Sequence, residues 1–81
     1  MQLTENDRGR WVHKSNAEYL GEQVQRRAKH LGWTGVILSP EYSALRYEYA
    51  TEQARAYLQT LAPVGYRFGL DASGHWGLWA E

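Results

Sequence analysis

Cysteine is absent from the 81 residues, which excludes disulfides, cysteine-ligated zinc, iron–sulfur clusters and thiol catalysis. An excess of either charge is missing too: nine Lys and Arg balance nine Asp and Glu. No apolar run approaches the ~20 residues that span a bilayer, and the first ten residues are polar, without the apolar core of a signal peptide. The expectation is a soluble cytoplasmic protein. No phosphate-binding loop and no nucleophile elbow occur, and Gly65, Gly69, Gly74 and Gly77 fall where a hairpin is expected rather than ahead of a helix. The three histidines, His13, His30 and His75, are too far apart for a local metal-ligand pair. The acidic side chains all have structural explanations as caps, helix pairs and turn formers. These absences point away from an enzyme and call for no cofactor or metal.

What is present is a chain that can fold. Hydrophobic residues make up 43% of it, too many for a disordered polymer, and the length supports one domain. Residues 1–10 read as a flexible or loosely docked arm and 11–81 as a single globular domain. Ser15 and Glu18 form a capping box. Ala17, Leu20, Val24, Ala28 and Leu31 follow at helical spacing, and Gly32 supplies a stop. A helix is therefore predicted over 16–31.

Gly35 to Ser39 (GVILS) reads as a short strand. Two readings of 39–51 compete. In one, Pro40 to Ser43 is a turn and Leu45-Arg46-Tyr47-Glu48-Tyr49 is a strand, because apolar and charged residues alternate strictly; Thr51 then caps a second helix carrying Ala54, Tyr57, Leu58 and Leu61. In the other, Ser39-Pro40 opens one long helix over 40–61. The alternation favours the strand. Val64, Tyr66, Phe68 and Leu70 alternate with small or charged residues, Asp71 to Gly74 is a turn, and 75–81 return as the last strand. With Leu70 opposite His75, Tyr66 faces Trp79; Val64, Tyr66, Phe68, Leu70 and Trp79 then form the core face and Arg67, Trp76 and Leu78 the second face. A one-residue bulge at Gly74 would exchange those faces. The fold class expected is α+β, in two layers, ordered α-β-β-α-β-β, with a four-stranded antiparallel sheet and both helices on one side. The long-helix alternative gives α-β-α-β-β.

Aromatic residues are what the chain has in surplus, at 14%. A domain this small cannot cover eleven large rings, and Trp, Tyr and Arg dominate protein interfaces. Tyr57, Tyr66, Phe68 and Trp79 lie on the apolar stripes and are predicted core. Trp76, Tyr42, Arg67, Leu78 and Trp33 are the candidate partner-binding set. The leading expectation is a non-enzymatic protein-binding module, an inhibitor or adaptor that covers a partner's surface; an edge strand could equally pair with a second copy to give a homodimer. In size, though in no motif, the chain resembles small phage or mobile-element inhibitors of host systems such as anti-CRISPR proteins.

The second expectation is single-stranded nucleic-acid binding. Residues 1–30 carry six cations against four acids, and 31–81 carry three against five. Arg10, Lys14, Arg26, Arg27 and Lys29 could meet phosphates, with sheet aromatics stacking on bases. The third is a small nuclease or toxin using His75, with Asp71 in reach of its ring.

Overall fold

The computed structural model describes residues 2–12 and 19–81. Its elements are a short 3-10 turn at Glu5–Asp7, β1 (Gly9–Arg10), α1 (Leu20–His30), α2 (Ala44–Leu61), β2 (Tyr66–Leu70) and β3 (Trp76–Ala80). The sheet is antiparallel, three-stranded and ordered β1-β3-β2.

This corrects the expected four-stranded sheet. Neither 35–39 nor 45–49 is a strand. The segment 44–62 contains no Gly or Pro and is rich in Ala, Glu, Gln, Arg and Leu, all good helix formers. Ser43 rather than Ser39 or Thr51 caps it, its hydroxyl accepting from the Arg46 amide at 3.3 Å. The Pro40-Glu41 turn is present, with the Tyr42 amide donating to the Ser39 carbonyl at 3.2 Å. The alternation at 45–49 marks two helix faces, not two sheet faces. Leu45 and Tyr49 share one side at i,i+4, while Tyr47 points nearly opposite, toward α1. The alternative of a helix running to Leu61 describes this segment, but its GVILS strand is absent and β1, from the N-terminal region, takes the third place in the sheet.

The capping box expected at Ser15 and Glu18 lies outside the described residues. From Tyr19 onward α1 buries Gly21, Val24, Gln25 and Ala28, an i, i+3, i+4, i+7 stripe, while Leu20, expected on that stripe, is exposed. The helix stops as expected at Gly32 (φ +108°), where the Gly32 amide donates to the Lys29 carbonyl at 3.1 Å and the Trp33 amide to the Ala28 carbonyl at 2.9 Å. That pair of bonds is a Schellman motif.

The two helices run in the same direction. The Tyr47 hydroxyl accepts from the Gly21 amide (2.8 Å), Gln25 Nε2 donates to Thr51 Oγ1 (3.1 Å), and the Tyr57 hydroxyl donates to the Leu31 carbonyl (2.6 Å). Each contact spans 26 positions. Residues 32–43 therefore carry the chain back along α1. The apolar GVILS run belongs to this return path. Gln25, wholly buried, anchors it: Oε1 accepts from the Leu38 amide (2.7 Å) and Nε2 donates to the Leu38 carbonyl (3.1 Å). Lys29 Nζ also donates to the Gly35 carbonyl at 2.7 Å.

The hairpin register is shifted by one residue. Leu70 faces Trp76, Phe68 faces Leu78 and Arg67 faces Trp79. Asp71 bonds across the turn to His75, leaving a three-residue loop whose last member, Gly74, has φ +82°. Trp76 and Leu78 consequently join Phe68 on the core face. Trp79 moves to the other face and is half-buried, its indole donating to the Gly69 carbonyl at 3.0 Å. Val64 and Leu70, expected in the core, are exposed.

The core itself gathers Leu3, Val12, Val24, Ala28, Ala54, Leu58, Leu61, Phe68, Trp76 and Leu78. Trp11 meets Phe68 edge-on at 4.9 Å, and Phe68 stacks on Trp76 at 5.1 Å. The arm expected over 1–10 is docked from Gln2 onward. Leu3 is buried and its amide donates to the Leu61 carbonyl at 2.9 Å. Gln2 Nε2 donates to the carbonyls of Leu61 and Ala62, capping the C-terminal end of α2.

Candidate functional site: an apolar groove beside the second helix

The Schellman turn places Trp33 at the mouth of the return path, where its ring lies over Gly35 in the space a side chain there would need. The Gln25 clamp fixes Leu38 further along. The Ser43 cap sets the rotation of α2, which directs Leu45, Arg46, Tyr49 and Gln53 toward the same side as the return path. Between them lies a groove of about 710 Å³ lined by Trp33, Val36, Leu38, Leu45, Arg46 and Tyr49, with Thr34, Gly35, Ala50 and Gln53 completing it. Three of these side chains are open to water: Val36 is 69% exposed, Leu45 78% and Tyr49 68%. Tyr42, in the turn that leads into α2 and not part of the groove wall, is also exposed. Isolated exposed apolar residues are ordinary, but a contiguous patch around a concavity is the signature of a docking surface.

The predicted partner-binding residues divide. Tyr42 is exposed as expected and Trp33 is half-buried in the groove wall. Trp76 (4% exposed) and Leu78 (0%) are core, because the three-residue loop turned their faces inward. Leu78 offers no free surface, and Trp76 shows only an edge, to the depression that Arg67 also borders. Arg67 is exposed but borders a different depression, with Leu20, Arg55 and Leu70. Val36, Leu45, Arg46 and Tyr49 were missed. The available signal was the Gly- and Pro-free run through 45–49, which makes Leu45 and Tyr49 neighbours on a helix.

Of the basic residues, Arg10 and Arg27 come together in a cleft with Asp7, Trp11 and His30, and the Arg27 guanidinium sits 5.9 Å from the centre of the Trp11 ring. Arg26 lines an adjoining depression that also includes Arg27 and His30. Lys29 is turned to the return path, and Lys14 lies outside the described residues. The Asp7 carboxylate, which accepts from the Thr4 amide at 2.8 Å, brings a negative charge into the basic cleft.

At the hairpin turn, His75 Nδ1 is 3.8 Å from Asp71 Oδ2. Asp71 Oδ1 accepts from the amides of Ser73 and His75, both at 2.9 Å. The bond from the His75 amide is the main cause that holds its carboxyl below the usual carboxylate range, helped by the Ser73 amide and the nearby imidazole. These contacts account for Asp71 as a turn former. Among the described residues, no cluster of His, Asp and Glu is arranged to hold a metal ion, and no helix is long and apolar enough to cross a membrane. No family model, curated protein or solved structure matches the chain.

Proposed function

We propose that the chain is a non-enzymatic protein-binding module, an inhibitor or adaptor, that takes a segment of a partner protein into the groove between residues 33–38 and α2. The observation that carries this reading is the gathering of Val36, Leu45 and Tyr49, all exposed, around one apolar concavity. Burying such side chains against a partner stabilises a complex by about 1.5–3 kcal/mol for each that becomes fully covered. A photo-cross-linking amino acid at position 49 is expected to capture the partner, and the same group at Glu5 is not. With the partner identified, Leu45→Asp is expected to weaken binding about tenfold or more in a calorimetric titration, with the melting temperature retained because Leu45 is exposed. Unchanged affinity, or equal capture from both positions, removes the groove from the function. Sedimentation of the isolated chain separates a foreign partner from a second copy.

Nucleic-acid binding is a second reading, supported by the convergence of Arg10 and Arg27 on one cleft. Its test is fluorescence anisotropy of a labelled single strand against salt. Two phosphate contacts give a slope of about −1.4 in log affinity against log salt; no binding at low salt removes the reading.

A further inference from the structure

The charge at the groove narrows what it accepts. We infer that the partner segment carries an acidic side chain beside its large apolar ones, and that this carboxylate seats on Arg46. The inference rests on the protein-binding reading above and names the chemistry of the partner. Among the described residues, Arg46 is the one charged side chain in the groove wall, which is otherwise Trp33, Val36, Leu38, Leu45 and Tyr49 with a few uncharged polar groups. Among the described residues Arg55 pairs with Glu52 and His75 lies near Asp71, and Arg46 takes part in neither contact. Glu48, two residues on, lies across the helix, since i,i+2 positions do not face each other.

Arg46 also sits in the first turn of α2, which holds no acidic residue. Helix N-termini carry partial positive charge and favour anions. A cation placed there without a counter-ion makes the mouth of the groove electropositive. Water solvates that charge while the groove is open. An apolar segment laid over it strips the water away, and an unpaired guanidinium in a desolvated interface is costly. A carboxylate answers both the guanidinium, through paired N–H donors, and the helix terminus. A basic segment is repelled twice. The apolar wall thus sets affinity, and Arg46 sets which apolar segments are admitted.

The test is a random peptide library displayed on phage and panned against the wild-type chain, Arg46→Glu and Leu45→Asp. Arg46→Glu is expected to keep its fold, because an acid suits the first turn of a helix; circular dichroism checks this. Peptides selected by the wild type are expected to combine large apolar residues with Asp or Glu at a recurring spacing. Replacing that acid by Lys in the best peptide is expected to weaken binding about tenfold or more, and Arg46→Glu is expected to recover the Lys-bearing peptide. If the acid can be replaced by Asn without loss while Leu45→Asp still abolishes binding, the acidic-partner inference fails and the groove reading stands. If no peptide is enriched, or if Leu45→Asp binds the selected peptides as well as the wild type does, both fail.

Discussion

Gly77 lies opposite Arg10 where β1 pairs with β3. A side-chain carbon added there meets the Gly9 carbonyl and the Arg10 backbone, 2.9 Å from Arg10 Cα. These are main-chain atoms of a paired strand and cannot swing aside as a flexible side chain can. Its cross-strand neighbour, Gly69, has open space at the equivalent position. Gly77→Ala is therefore expected to destabilise the fold by about 1–3 kcal/mol, the range for forcing extra volume into a packed site, while Gly69→Ala stays within about 1 kcal/mol of the parent. Urea denaturation of the two variants side by side checks this. Gln25 shows a different kind of single-residue control. It is a fully buried polar side chain on an otherwise apolar helix stripe, and it is tolerated because Leu38 and Thr51 satisfy its amide. Nothing in its sequence neighbourhood announces that role. Its partners are 13 and 26 positions away, and the spacing of apolar residues carries no information about them.

Among the elements, those with local signals were legible. The end of α1 at Gly32, the Pro40-Glu41 turn, the end of α2 at Leu61 and the hairpin all follow from nearby residues. The strand reading of 45–49 failed because strict alternation puts Leu45, Tyr47 and Tyr49 on one face only in an extended chain, and this segment is helical. Tyr47 alone turns to α1, and the other two remain in water at the groove. The hairpin faces were misassigned for a matter of parity. A loop of Ala72, Ser73 and Gly74 shifts the pairing by one residue, and one residue exchanges every side chain on β3 between core and solvent. Asp71 holds this loop in place, and its carboxyl is more acidic in the fold than in the unfolded chain. A depressed folded-state value adds stability that is present above the unfolded value of about 3.9 and lost as pH falls through the folded one. The melting temperature of the parent is expected to decline between about pH 5 and pH 3. Asp71→Asn keeps an acceptor oxygen for Ser73 and His75 but cannot titrate, so its decline should be shallower. Thermal melts across that range decide it; identical slopes would contradict the assignment.

For the molecule as a whole, the N-terminal region closes the structure. Leu3 packs into the main core, and with Gln2 it binds the end of α2 some sixty positions away. A polar opening containing Asn6, Asp7 and Gly9 reads as an arm because its one core residue is isolated in the sequence, with no periodic companions to mark it. Leu3→Ala is expected to cost about 2–4 kcal/mol, as for other buried leucines, and to lower the denaturation midpoint of the whole chain in one transition. A separate early transition confined to the first residues would instead mean that they are only an appendage. Of the rings in the candidate set, Trp76 is buried, Tyr42 is exposed in the turn ahead of α2, and Trp33 lines the groove together with Tyr49.

The common offset between α1 and α2 has a kinetic side. Joining Gly21 to Tyr47, Gln25 to Thr51 or Leu31 to Tyr57 closes a chain loop of the same size, so whichever forms first bears nearly all of the closure entropy. The remaining two then lie already in register. A slip by one helical turn would separate Gln25 from Thr51 and each tyrosine hydroxyl from its backbone partner at once. The pair should accordingly dock in a single step, and the groove, whose two walls are the return path and α2, comes into existence at that moment rather than being assembled piece by piece.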